Sequence, residues 1–240
     1  MLDFKSIPAR DRVIVALDCS EDEALALADR LSGRAKWMKV GMTLYYAAGP
    51  RIVAALKERG FNVFLDLKFY DIPHQVEGAA YAAVKSGADM ITMHASGSVA
   101  MMEAAQRGAE KAAAELGRDV PITLGITVLT SMNDDTLDEI GVARNTVDQV
   151  KMLAGLTARA GISGVVCSPQ EATMLRGVLG EDAYIVTPGV RPAGAALGDQ
   201  SRVTTPAQAF ANGSSHIVVG RPITAAVDPV AAFANIVDEL

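Results

Sequence analysis

Aromatic residues are scarce in this chain of 240 residues, at 5%, and cysteine occurs only twice. Cys19 and Cys167 fall in or beside strand-like apolar runs, which argues against a disulfide framework and suits a reducing compartment. An excess of basic residues is also missing, since the formal net charge is -6. General nucleic-acid binding wants a basic face, so that class is disfavoured. A small anion is still allowed, because a few Lys and Arg in a cleft can set the local field. No apolar run approaches a membrane span, and Met1 to Arg12 carries charges without a signal-peptide core, so a cytoplasmic protein is expected. His74, His94 and His216 stand far apart without ligand spacing, so no metal site is expected. His94 ends a strand-like run and could touch a site there, whereas His74 and His216 read as surface or packing residues. Cys167 has no evident base partner and reads as packing rather than as a nucleophile.

Half of the residues are hydrophobic, with Ala, Val, Leu and Gly prominent, as helix-covered parallel sheets require. Strand-like and helix-like segments alternate almost without exception. The expected strands are Val13 to Leu17, Trp37 to Val40, Val63 to Leu67, Met90 to Met93, Ile122 to Thr127, Val165 to Cys167, Tyr184 to Thr187 and Ile217 to Val219. Ser20 with Glu23 forms a capping box that starts the first helix, and Pro73 suits the first turn of another. Further helices are expected from Pro50 to Arg59, Ser98 to Leu116, Thr146 to Ala160 and Pro169 to Leu179. Eight such units in one chain spell a (β/α)8 TIM barrel, a single domain over residues 1–240. A doubly wound sheet is the alternative, but no glycine-rich dinucleotide fingerprint follows the first strand.

The third strand is where the chemistry gathers. Val63-Phe64-Leu65-Asp66-Leu67-Lys68 is followed by Asp71 in the loop. Side chains alternate along a strand, so Phe64, Asp66 and Lys68 are expected to share one face. A solvated strand end with an accidental ion pair is the plain alternative. In a barrel, however, all strand ends open onto one rim, where α/β barrels do chemistry. Asp18, Lys39, Asp66, Lys68, Asp71, Thr130, Arg191, Gln200 and Arg221 would converge there. Arg191 and Arg221 follow strands seven and eight, a common place for phosphate, and Gly220 would let backbone approach an oxyanion. The stretch 188–202 is long, rich in Gly and Pro and without periodicity, which suits a lid.

Asp66-x-Lys68-x-x-Asp71-Ile72-Pro73 resembles the active-site signature of the orotidine 5′-phosphate decarboxylase family. The likeness continues through Ala16-Leu17-Asp18, Lys39-Val40-Gly41, Val128-Leu129-Thr130-Ser131, Thr187-Pro188-Gly189-Val190-Arg191-Pro192, Asp199-Gln200-Ser201-Arg202 and Val219-Gly220-Arg221-Pro222-Ile223. The family commonly has Asn-Thr after the Ile-Pro, and this chain has His74-Gln75, so a Gln amide would have to replace any Thr contact. The resemblance implies cofactor-free loss of CO2 from orotidine 5′-monophosphate. Lys68 would stabilise and protonate the carbanion, Asp66 would crowd the departing carboxylate, and Lys39 and Asp71 would complete an alternating chain of charge. Asp18 would bind ribose or ring, Thr130 the pyrimidine edge, and Gln200, Gly220 and Arg221 the phosphate, with Arg191 in support. It also implies a homodimer in which Asp71 completes the neighbouring subunit's site. Magnesium-dependent sugar-phosphate barrels, such as 3-keto-gulonate 6-phosphate decarboxylase or hexulose phosphate synthase, share the D-x-K-x-x-D motif. A non-catalytic phosphate-binding barrel is the non-enzyme alternative.

Overall fold

Eight parallel strands pair in chain order and close into a barrel in the computed structural model, which describes residues 3–192 and 204–240. They are β1 (Val13–Ala16), β2 (Trp37–Gly41), β3 (Asn62–Phe69), β4 (Met90–His94), β5 (Ile122–Ile126), β6 (Gly164–Val166), β7 (Tyr184–Thr187) and β8 (His216–Val219). Closure is made by β8 on β1, with Val13 opposite Ile217 and Ile14 opposite Val218. A (β/α)8 barrel is therefore the observed fold.

The helices form for reasons visible in the residues. Ser20 and Glu23 make the expected reciprocal capping box, and Glu21–Leu31 buries Ala24, Ala28 and Leu31, which lie on one face at helical spacing. Pro73 begins Pro73–Lys85 and Pro206 begins Pro206–Ala211, positions where the missing N–H does no harm. Helix Met42–Ala48 was not among the expected elements. It has no side-chain cap at Gly41 and carries two tyrosines, so local preference does not announce it. The helix expected from Pro169 begins only at Ala172, because Ser168 and Glu171 first close a turn in which the Ser168 N–H donates to Glu171 Oε2 at 2.9 Å.

Two cores result. One lies between strands and helices and is dominated by aliphatic side chains such as Val63, Leu65 and Ile91. The other fills the barrel with Ile14, Ala16, Trp37, Phe64, Met90, Leu124, Val186 and Val218. The end of the barrel where the strands begin is stoppered by rings. Phe4 meets Tyr184 at 5.0 Å between centroids, Tyr184 meets His216 at 5.7 Å, and Trp37 meets His216 at 6.0 Å.

His216 is thus a buried packing residue, bonded at Nδ1 to Ser215 Oγ at 3.2 Å. Burial, with Arg12 and Lys36 nearby, lowers its pKa from 6.5 to about 3. The folded state refuses a proton that the unfolded state accepts, so stability is present above about pH 6.5 and is lost as pH falls toward 3. Between pH 6.5 and 5 this one group should remove about 2 kcal/mol. Denaturant unfolding at both pH values, in the parent and in His216→Phe, checks it. The loss should be smaller by about that amount in the variant, and equal losses would show that the imidazole is not responsible.

Candidate active site

The barrel's inner face turns polar at the strand ends. Trp37, Phe64 and Met90 belong to the inner core, and two residues further along the same faces stand Lys39, Asp66 and Thr92. Lys39 is buried, and its Nζ lies 3.1 Å from Asp18 Oδ1 and 3.6 Å from Asp66 Oδ2. Lys68 Nζ lies 2.8 Å from the same Asp66 oxygen. Asp18, Lys39, Asp66 and Lys68 therefore form one row of alternating sign. Gly41 keeps the row open, because a Cβ there would come within 3.1 Å of Asp18 Oδ1 and 3.2 Å of Lys39 Nζ.

Lys68 does not reach this row by simple alternation. The β3–β4 register runs from Leu65 opposite Ile91 to Phe69 opposite Met93, so three residues of β3 lie between these pairs against the single Thr92 of β4. Lys68 absorbs the excess with φ 54°, left-handed and unusual for a residue with a side chain. The expected strand end at Leu67 is accordingly corrected to Phe69. Thr92, wholly buried on β4, holds the bulge. Its Oγ1 accepts from the Lys68 N–H at 2.9 Å and donates to Asp66 Oδ1 at 3.0 Å.

Burial by itself would raise the Asp66 pKa. Lys39 and Lys68, with hydrogen bonds from Lys68 and Thr92, overcome it and hold the carboxyl below its ordinary value. His94 is pushed down, first by burial and then by Lys68, with Asp66 opposing. Its ring packs on Tyr70 at 5.4 Å between centroids.

Above the charged row lies a cavity of about 320 Å³. Lys39, Asp66 and Lys68 form its polar floor, Thr130 and Ser131 line it from the loop after β5, and Phe64, Ile126 and Val218 are among its apolar lining. One charged floor, one hydroxyl-bearing loop and apolar lining suit a flat polar ring beside a reactive cation. A hollow of about 450 Å³ at the opposite end of the barrel is different in kind. Its Arg12 and Arg176 donate to the carbonyls of Ser215 and Gly213, each at 2.8 Å, and so fasten loops.

Of the residues singled out from sequence, Asp18, Lys39, Asp66 and Lys68 are brought into direct contact, and Thr130 faces the same cavity. Gly220 follows β8 beside Asp18, and a Cβ there would meet only ordinary contacts, the nearest 3.6 Å away at Ala16 Cβ. Arg221 is exposed on the rim that follows. Arg191 is buried in the loop after β7 and donates to Val190 O at 2.9 Å. Asp71 is exposed, and its Oδ1 accepts from the Ile72 N–H at 2.6 Å. It forms no ion pair with Lys68 of its own chain. Gln200, the Asp199-to-Arg202 motif and all but the first five residues of the 188–202 stretch lie outside the described residues. Thr92 was missed. The signal was present in Met90-Ile91-Thr92-Met93, a lone hydroxyl two residues beyond an inward methionine.

A family model described as "Orotidine 5'-phosphate decarboxylase / HUMPS family" matches residues 11–236. A protein of Moorella thermoacetica named orotidine 5'-phosphate decarboxylase is 49% identical over 97% of this chain and 93% of its own length. One of the same name from Alkalilimnicola ehrlichii is 50% identical over 97% of each. The crystal structure of orotidine 5'-phosphate decarboxylase from Lactobacillus acidophilus superposes with a TM-score of 0.85 at 40% identity, covering 95% of this chain and 98% of that one.

Proposed function

Because the chain belongs to the orotidine 5'-phosphate decarboxylase / HUMPS family, we infer that it is the carboxy-lyase that converts orotidine 5′-monophosphate to uridine 5′-monophosphate in pyrimidine biosynthesis. The observation that carries this is the Lys68 ammonium, 2.8 Å from Asp66 at the floor of a cavity of ring size. When the bond from C6 to the carboxylate breaks, CO2 leaves and the electron pair stays on C6, in the ring plane and without π delocalisation. Lys68 stabilises that pair and then delivers a proton to it, so no cofactor is required. Asp66, already ionised, faces the substrate carboxylate and disfavours the ground state. Each neighbouring lysine–aspartate pair is worth on the order of 4 kcal/mol in a partly screened site. Very slow reactions need roughly 20 kcal/mol of acceleration, so binding energy from the distant phosphate must contribute. Gly220, Arg221 and Gln200 are assigned to that phosphate, with Arg191 in support, Thr130 to the pyrimidine edge and Asp18 to ribose or ring. Gln75 takes the place of the family's usual threonine.

The site is completed by a second copy of the chain. Asp71 accepts from the Ile72 N–H rather than pairing with its own Lys68, and Tyr70 and Ile72 beside it are each 63% exposed. Two large apolar side chains flanking a carboxylate suit an isologous interface that delivers Asp71 to the partner's Lys68. A cytoplasmic location accords with Cys19 and Cys167, neither of which forms a disulfide.

Magnesium-dependent sugar-phosphate chemistry fits the donor set poorly. Asp66 gives one oxygen to Thr92 and the other to two ammonium groups, and no three His, Cys, Asp or Glu side chains among the described residues group as metal ligands. Purified protein should consume orotidylate, followed by its absorbance, at an undiminished rate in excess chelator. Activity abolished by chelator and restored by magnesium would favour the sugar-phosphate chemistry instead.

A further inference from the structure

The bulge in β3 leaves an N–H without its ladder partner, at the residue that bears the reacting cation. Between the Leu65–Ile91 and Phe69–Met93 pairs, β4 offers one residue, Thr92, to three of β3, so backbone carbonyls cannot satisfy every donor of β3 in the ordinary way. The acceptor for the Lys68 N–H is instead the side-chain oxygen of Thr92, at 2.9 Å. That oxygen carries a single proton, and the proton is committed to Asp66 Oδ1 at 3.0 Å. Asp66 Oδ2 is thereby left for Lys68 at 2.8 Å and Lys39 at 3.6 Å. One hydroxyl fixes both ends of the central ion pair, the peptide of the lysine and the carboxylate of the aspartate.

We propose that Thr92 is a positioning residue for the decarboxylation, holding Lys68 in its left-handed backbone conformation and rotating Asp66 so that one oxygen serves both lysines. This rests on the function assigned above. Thr92 is fully buried and does not line the substrate cavity, so it acts through Lys68 and Asp66 rather than on substrate. Among the described residues no other side chain hydrogen-bonds to either atom it serves, the Lys68 N–H or Asp66 Oδ1. Valine has nearly the shape of threonine and neither bonds nor donates, so Thr92→Val leaves a buried donor and a buried carboxylate oxygen unsatisfied. The lysine peptide can then relax out of the left-handed region, and its ammonium moves relative to C6. Displacements of about 1 Å at a reacting centre can change rates by about 100-fold. The phosphate contacts, on the loops after β7 and β8, are untouched.

The test compares Thr92→Val with Thr92→Ser, and Thr92→Ala with Thr92→Ser should the valine variant fail to fold. The parent is scored first, because absence of orotidylate turnover there would remove the assigned function itself. Given an active parent, Thr92→Val should lose on the order of 100-fold in kcat with KM within about three-fold, and Thr92→Ser should recover to within about five-fold. The acid limb of the kcat/KM profile should move to higher pH in the valine or alanine variant and stay in place in the serine variant. That follows because Asp66 loses one of the donors holding its pKa down. A packing role alone would lower thermal stability without moving that limb. Parental kcat in Thr92→Val, or equal losses in the serine and hydroxyl-free variants, would overturn the assignment.

Discussion

Lys68→Ala should abolish measurable decarboxylation, with kcat falling by on the order of 10³-fold or more, equivalent to about 4 kcal/mol. Among the described residues the ammonium is the only cation within 3 Å of Asp66 Oδ2, and its removal would take away both the charge and the proton donor proposed to serve C6. Lys39 cannot replace it, because its Nζ is already shared between Asp18 and Asp66 and its side chain is buried in the floor. Binding of uridine 5′-monophosphate should survive within a few-fold, since phosphate and ribose contacts are assigned to other loops. Asp66 loses its nearer partner but keeps Lys39 and Thr92, so the fold should persist. Steady-state rates and nucleotide titration on the same preparation decide the matter. Decarboxylation near the parental rate would remove Lys68 from the centre of the mechanism.

Mixing two inactive proteins should create activity. Lys68→Ala and Asp71→Ala, unfolded together and refolded as a mixture, pair at random into dimers, of which about half are mixed. If Asp71 serves the partner's site, each mixed dimer has one doubly defective site and one intact site. Roughly a quarter of all sites should then regain parental activity. If Asp71 serves its own chain, no site is ever whole and nothing is restored. The exposed placement of Asp71 and its bond to the adjacent Ile72 N–H, rather than to Lys68, favour the first outcome. A flat result, with subunit exchange verified by mass, would sink the shared site.

The barrel was legible in the sequence because parallel strands buried on both faces are written as short apolar runs, and capping residues mark where helices resume. The floor of the site was legible for the same reason, since Lys39 and Asp66 interrupt such runs. Asp18 was placed on the rim but not in the charged row, because a residue just past a strand end has no fixed face until the loop is built. Lys68 was assigned to the right neighbour by the wrong route. Period-two alternation happens to put it beside Asp66, whereas the strand bulges and reaches the same place through a left-handed residue. A bulge depends on the register of two strands, which neither strand encodes alone. Thr92 was overlooked because a threonine in a strand satisfies local preference and raises no conflict. Helix Met42–Ala48 was overlooked for the opposite reason, as it lacks the cap and composition that would announce it.

The backbone at Lys68 sets foldability against chemistry at a single position. A φ of 54° is one that glycine adopts freely and lysine adopts at a cost of roughly 1 kcal/mol. Selection for folding alone would therefore install glycine there, and would at the same time delete the charge that must be held in a partly buried site. Any stabilisation campaign that ranks positions by thermodynamic gain would nominate residue 68 early and return a sturdier barrel without the cation proposed to do the chemistry. The position is best frozen before such engineering begins, and its immediate support, Asp66 and Thr92, frozen with it.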